Sequence, residues 1–429
     1  MRLPGRLAAA IAVLADVESR KRPVSEALKA WGLNNRFAGA GDRAAIGNLV
    51  YDALRRRASH AFAMGDDSPR ALVLAVAVRD WKEDPASLNE TFKEDDHAPA
   101  PLSDEEVERL SSDPATAPDY VRADVPEWLA PSLARGLGEN WVAEGQGMSG
   151  RPSLDLRVNT LKSTRERVVK SLARFDPAEA SISPNGLTMP AGPRDARTPN
   201  VTTDEGYQKG WFEVQDQGSQ IVAALANARP GEQALDLCAG AGGKTLALAA
   251  AMDNRGQIFA YDSDRSRLAP IYERLKRNGA RNVQVRAPEA GALDDLRGKM
   301  DRVVIDAPCS GTGTWRRRPD TKWKLTSDLL AQRVADQAAV LAEGQTYVKL
   351  GGTLIYITCS ILPEENDDQI AAFKSAYPAF EDVPAAQLWD AAFGTLLPEG
   401  LVSTGGGLTL TPHRTATDGF YFHALRRTG

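Results

Sequence analysis

Five short apolar runs, at residues 234–238, 257–262, 282–286, 302–306 and 353–358, alternate with stretches of helical periodicity. Strands separated by helices cannot pair as hairpins. Their crossover connections make them parallel, and a parallel sheet must be covered on both faces. The pattern therefore predicts an α/β fold with a doubly wound sheet. Two further runs, 407–411 and 419–425, flank a turn-rich segment and read as an antiparallel hairpin on the sheet edge. In such a sheet, ligands bind beyond the carboxyl ends of the strands, so the residues just past each run are the candidates for chemistry.

Past the first run stands Asp236-Leu-Cys-Ala-Gly-Ala-Gly-Gly-Lys-Thr245. Gly240, Gly242 and Gly243 lie between strand and helix, where missing side chains let backbone N–H groups approach a bound group. Gly243-Lys244-Thr245 ends like a phosphate-binding loop, but that motif requires glycine at 238, where the chain has Cys238. Asp262, past the second run, has the spacing of a carboxylate that accepts from ribose hydroxyls. S-adenosylmethionine and NAD fit this turn equally, and a tight structural turn with a surface aspartate is the bland alternative.

Two of the three cysteines follow later runs: Cys309 in Asp306-Ala-Pro-Cys-Ser310, and Cys359 in Thr358-Cys-Ser360. Three cysteines make no disulfide framework, and the four scattered histidines show no zinc-ligand spacing, so no metal is expected. Free cysteine is often core filling, but two in polar, turn-like contexts favour reactive thiols. Cys238 ends a buried strand and reads as packing plus a backbone contact.

The first half is organised differently. Leu7, Ile11 and Leu14, then Ile46, Val50 and Leu54, recur at helical spacing, with Asp42 a plausible N-cap of the second run. Residues 1–82 read as a helical domain, 83–125 as an acidic, solvated linker with one helix near Asp104, 126–205 as a small α+β subdomain, and 206–429 as the doubly wound domain. The net charge of −5 hides a local contrast. Residues 1–60 hold 11 Lys/Arg against 5 Asp/Glu, while residues 61–128 hold 6 against 17. The basic clusters Arg20-Lys-Arg22 and Arg55-Arg-Arg57 suit phosphates, although charge runs on helices are commonly solvated faces. Trp315-Arg-Arg-Arg-Pro-Asp-Thr-Lys-Trp-Lys324 interleaves aromatics with cations and suits base stacking, the alternative being tryptophans packed inward.

Taken together, the Gly-rich turn, Asp306-Ala-Pro-Cys-Ser-Gly-Thr-Gly313, Arg318-Pro-Asp320 and Tyr356-Ile-Thr-Cys-Ser-Ile-Leu-Pro-Glu-Glu-Asn366 resemble the RsmB/NOP/Sun family of RNA cytosine-5 methyltransferases. Leu156-Arg-Val-Asn159 is similar to that family's small preceding domain. The first 60 residues, with Gly41-Asp-Arg-Ala44, resemble the NusB-like RNA-binding domain of the RsmB branch. The resemblance implies a Rossmann-like methyltransferase domain and S-adenosyl-L-methionine as cofactor, held by Cys238, Ala239, Gly240, Ala241, Gly242, Gly243, Lys244, Asp262, Arg267 and Asp306. It implies Cys359 as the nucleophile, Cys309 as the group that assists its release, Asp306 against the base, and Lys244 orienting the cofactor or its neighbours. Such a pair suits the reaction: carbon 5 of cytosine accepts a methyl group only after a nucleophile adds at carbon 6, and the carbon-5 proton must then leave. One departure stands out. The family commonly places an acidic residue after the third strand to hold adenine, and here the segment reads Val285-Arg-Ala-Pro-Glu289. With Ala287 in that region, Glu289 from a shifted turn, or apolar packing with main-chain groups, is left to hold the ring.

The resulting expectation is a cytoplasmic, monomeric enzyme making 5-methylcytosine in RNA, with small-subunit ribosomal RNA implied by the resemblance. The target base must be unpaired or flipped to reach the thiols. A noncatalytic RNA-binding assembly factor on the same scaffold is the alternative. Transfer to DNA is disfavoured, because a nucleophile in the Pro-Cys segment would leave Cys359 without a task. No apolar run reaches the length of a membrane span.

Overall fold

The structure is a computed structural model that describes residues 1–112 and 116–429. The chain divides into two compact units. The first comprises Met1–Pro152, Ala191–Thr198 and Trp315–Lys324. Its long helices Leu3–Arg20 and Ala40–Arg55 bury the apolar stripe read from the sequence, with Leu7, Leu14, Ile46, Leu49 and Val50 removed from solvent. Full burial of each such side chain contributes on the order of 1.5–3 kcal/mol. Asp42 is not the N-cap of the second helix. Gly39 holds that position, and Asp42, three residues in, accepts from the Gly39 N–H and from Arg6.

Among the described residues, the stretch 83–125 holds three helices where one was expected: the single turn Asp119–Arg122 and a longer pair, Pro85–Glu94 and Asp104–Ser111. Both start at a capping oxygen, Asp84 accepting from the Ser87 N–H and Ser103 from the Glu106 N–H. Leu88, Phe92, Leu102 and Leu110 join the helical core, because few apolar residues suffice when they share one face. The part of this stretch at 113–115 lies outside the described residues.

The segment Trp315–Lys324 also belongs to this unit. Trp315 and Lys322 are fully buried, and Trp323 packs against the helical core. The Lys322 ammonium donates to the carbonyls of Arg55 (2.9 Å) and Asp124 (2.6 Å), the Trp323 indole N–H to Leu54 (2.6 Å), and Arg55 Nε to the Arg316 carbonyl (2.7 Å). The expected base-stacking platform is instead an interior strap. Trp323 and the central lysine satisfy the backbone carbonyls of Leu54, Arg55 and Asp124, while Trp315 contributes burial.

The second unit comprises Ser153–Pro190, Pro199–Thr314 and Leu325–Gly429. Its smaller sheet is antiparallel, with β1 (Leu154–Val158), β2 (Ala178–Glu179), β3 (Gly186–Met189) and β4 (Phe212–Val214) in the order β2-β3-β1-β4. The larger sheet contains β5 (Gln233–Asp236), β6 (Gln257–Tyr261), β7 (Val283–Arg286), β8 (Met300–Asp306), β9 (Val348–Thr358), β10 (Phe380–Asp382), β11 (Leu408–Leu410) and β12 (Phe420–Arg427). The order is β10-β12-β9-β8-β5-β6-β7, with β5 to β9 parallel and β12 antiparallel to β9. Alternate residues enter opposite cores. Ala234, Val304, Ile355 and Ile357 pack on one face, and Leu235, Val303, Ile305, Leu354 and Tyr356 on the other. This double burial is why the strands read as continuous apolar runs.

The closing pair differs from the expected edge hairpin. β11 and β12 are antiparallel, but β12 lies inside the sheet. β11 pairs with its first residues and β10 with its last, so two short strands share the outer edge. Between β5 and β8 the winding reverses, which places a topological switch beside the Gly-rich turn.

Candidate functional site

The turn after β5 is built from residues that only a glycine-rich sequence allows. Gly242 has φ +85°, and a Cβ there would stand 2.6 Å from Ile271 Cγ1. The helix Gly243–Ala251 begins directly after it, with no side chain capping its start. Gly240 has φ +48°, and a Cβ would meet no protein atom closer than 3.7 Å. Its N–H donates to Asp262 Oδ2 at 2.9 Å, while Asp262 Oδ1 accepts from the Asp264 N–H. Asp262 is thus buried and tied to the turn across the ends of β5 and β6. Arg267 is more than half exposed, its guanidinium 3.7 Å from the Asp262 carboxylate. Ala239 packs in the core, and the Ala241 carbonyl accepts from Arg274 at 2.7 Å. Burial and neighbouring carboxylates push the half-buried Cys238 thiol far above its usual range.

Beneath the turn, Asp236 is fully buried. Its Oδ2 accepts from Thr245 Oγ1 at 2.7 Å, and its Oδ1 has no hydrogen-bond partner among the described residues. Burial is the main cause that raises its carboxyl to about 7, with Asp306 adding and Thr245 and Lys244 opposing. Lys244, itself buried, places its ammonium 3.0 Å from both Asp306 Oδ2 and Ser219 Oγ, and 5.2 Å from the centre of the Phe420 ring. Asp306 ends β8 and stays about one third exposed, so the ion pair has a buried cation and an accessible carboxylate.

The two later cysteines meet. Cys309 Sγ and Cys359 Sγ are 3.3 Å apart, one just past β8 and the other just past β9. Strand pairing explains this: β8 and β9 run parallel in register from Arg302↔Thr353 to Asp306↔Ile357. Two thiols 50 positions apart in sequence are therefore brought to the same end of neighbouring strands. The hydrogen bond to Cys359, followed by burial and the charge of Glu365, pushes the Cys309 thiol well above its usual range.

Several residues around this pair were given no role of their own in the sequence reading. Glu365, fully buried, accepts from the Ser310 N–H (2.7 Å), Ser310 Oγ (2.5 Å) and Gln337 Nε2 (3.0 Å). Ser219 and Phe420 complete the surroundings of Lys244. Only the polar Pro-Glu-Glu-Asn run after a buried strand, where a carboxylate is dear to bury, gave a hint of Glu365. Glu289 is exposed and sits 3.7 Å from the equally exposed Arg265.

Comparison with known proteins adds to this geometry. Residues 223–426 match the model described as "16S rRNA methyltransferase RsmB/F", and residues 125–191 match an RsmF/B-like ferredoxin-like domain. A probable ribosomal RNA small subunit methyltransferase B from Synechocystis is 33% identical over 70% of this chain and 66% of its own length. The ribosomal RNA small subunit methyltransferase B of Sodalis glossinidius is 35% identical over 72% of this chain and 68% of its own. The chain thus spans about two thirds of the length of these relatives. The crystal structure of a methyltransferase homolog protein from Pyrococcus horikoshii superimposes with a TM-score of 0.58 at 26% identity, covering 72% of this chain and 97% of that one.

Proposed function

The chain belongs to the RsmB/F family, and from that premise we propose that it methylates carbon 5 of a cytosine in RNA, with small-subunit ribosomal RNA as the substrate class. The observation that carries the reading is the 3.3 Å approach of Cys309 and Cys359 beside the Lys244–Asp306 pair.

S-adenosyl-L-methionine supplies the methyl group when bound. The residues present suit it: the space over Gly240 is open to a close main-chain approach, and Asp262 and the start of the helix Gly243–Ala251 flank that space. The remaining work falls to side chains. Cys359 Sγ adds to carbon 6 of cytosine, which makes carbon 5 enamine-like and nucleophilic. In this reading Cys309, whose thiol is pushed well above its usual range, is the sulfur of the 3.3 Å pair that keeps its proton, which leaves Cys359 to attack. Asp306, turned outward from its lysine, receives the base's amino group or its protonated ring nitrogen as the adduct forms. Lys244 fixes that carboxylate and Ser219 fixes the lysine. After methyl transfer the carbon-5 proton passes to water with Cys309 assisting, the electron pair of that C–H bond restores the carbon 5–carbon 6 double bond, the carbon 6–sulfur bond breaks, and its electron pair returns to Cys359. In this reading residues 1–82 serve as a NusB-like RNA-binding domain, with exposed cations such as Arg20 and Lys21, whereas Arg55 is buried against Asp52 and the Arg316 carbonyl, and Arg22, Arg56 and Arg57 are paired with Asp16, Asp80 and Glu18. Adenine is held by main-chain and apolar groups, since Glu289 stands exposed at the surface.

Incubating the protein with RNA and a labelled methyl donor tests this. Transfer to cytosine is expected for the wild type. Cys359→Ala should form no covalent RNA adduct, and Cys309→Ala should accumulate an adduct that fails to release. The opposite pattern would exchange the two roles, and no transfer by the wild type would leave only RNA binding.

A further inference from the structure

The turn Pro363–Glu365, with Asn366 after it, grips the flanks of both thiols. On the Cys309 side, Glu365 accepts from the N–H and hydroxyl of Ser310, the residue after Cys309. Gln337, fully buried in the helix Ser327–Gly344, donates both to Glu365 Oε1 and to the carbonyl of Pro308, the residue before Cys309 (2.9 Å). On the Cys359 side, Asn366 Oδ1 accepts from Thr358 Oγ1 (2.6 Å), and its Nδ2 donates to the Ser360 carbonyl (3.0 Å). The Tyr356 hydroxyl, from within β9, closes the turn by donating to the Glu365 carbonyl (2.7 Å).

A carboxylate with no exposed surface is costly, and neutral donors would be served as well by a glutamine. A charge kept in such a place acts on what lies near it. We propose that Glu365 is a positioning residue that holds the Cys309 segment against Cys359 and, by its charge, keeps the shared proton on Cys309. Two sulfurs at 3.3 Å cannot both ionise readily, so a negative neighbour on one side decides which of them does. The titratable groups acting on Cys309 are Cys359, Glu365 and, through β9, Tyr356. Of these, Glu365 is the carboxylate, and its charge raises the Cys309 thiol. With the proton held on Cys309, Cys359 is left as the sulfur that attacks. This inference rests on reading the thiols as a catalytic pair.

The test needs neither RNA nor methyl donor, so its failure is separate from a failure of methylation. In a Cys359→Ala background, the rate of iodoacetamide alkylation at Cys309 is followed against pH by peptide mass spectrometry, which resolves it from Cys238. Cys309 should titrate above the ordinary thiol value of about 8.5. Adding Glu365→Gln should lower its apparent pKa by about one unit, and Gln337→Leu, which loosens the same loop without removing charge, should leave it in place. Coincident profiles with and without Glu365→Gln would overturn the proposal, as would an equal shift from Gln337→Leu. Should Glu365→Gln fail to fold, a Cys309 titration at or below about 8.5 in the Cys359→Ala protein alone would overturn it.

Discussion

Asp236→Asn offers a direct reading of how much the buried carboxyl under the Gly-rich turn costs. Asp236 titrates at about 7 in the folded chain, chiefly because burial disfavours its anion, against about 3.9 in an unfolded chain. Between those values the folded state binds more protons than the unfolded state. Stability therefore falls as pH rises from about 4 to about 7, and stays level above that. Three pKa units at 1.36 kcal/mol each make the loss about 4 kcal/mol. Asparagine keeps an oxygen for the Thr245 hydroxyl and does not ionise, so the variant lacks this slope. Other groups titrate alike in both proteins and cancel in the difference. Urea unfolding of both proteins from pH 4 to 8, without cofactor, should show the variant gaining about 4 kcal/mol relative to wild type up to pH 7 and then a constant offset. A stability difference independent of pH would refute the argument.

Three other perturbations follow from the same structure. Gly242→Ala places a Cβ 2.6 Å from Ile271 at φ +85°, and left-handed strain plus overpacking should cost about 2–4 kcal/mol by chemical denaturation and weaken donor binding by calorimetry. Lys322→Ala leaves the carbonyls of Arg55 and Asp124 without their buried donor. A destabilisation of about 3 kcal/mol is expected in urea, and a change below about 1 kcal/mol would show the strap to be dispensable. Glu213 accepts from Arg274, Arg277 and Asn278, and although burial pulls its carboxyl upward, these partners hold it below the usual range. Glu213→Gln should therefore cost about 3–5 kcal/mol at pH 7. That difference should shrink as pH falls below about 4.3, since a depressed carboxyl contributes stability only above its unfolded value.

The parallel strands and the meeting of Cys309 with Cys359 were legible because both depend on local signals: apolar runs of strand length, and the rule that active residues follow strand ends. What escaped was decided by tertiary context. Whether Trp315 and Trp323 face solvent or interior depends on backbone carbonyls of distant helices, which composition does not encode. Leu88, Phe92 and Leu110 were hidden by the acidic residues around them, although one apolar face is enough to dock a helix. Glu365 is visible in sequence only as one of two adjacent glutamates. Register and burial, not residue type, separate it from Glu364. The inner position of β12 likewise depended on β10, a three-residue strand too short to carry a periodic signal.

The helical unit is not contiguous in the gene's order: its final strand of chain, Trp315–Lys324, is made long after Pro152. During synthesis from the amino terminus, its helices emerge with the carbonyls of Leu54, Arg55 and Asp124 still waiting for donors that arrive only when residue 324 of 429 has left the ribosome. The first part to be translated is thus among the last to be finished. A nascent chain halted at residue 152 should be more open to protease than the same helices in the full-length protein.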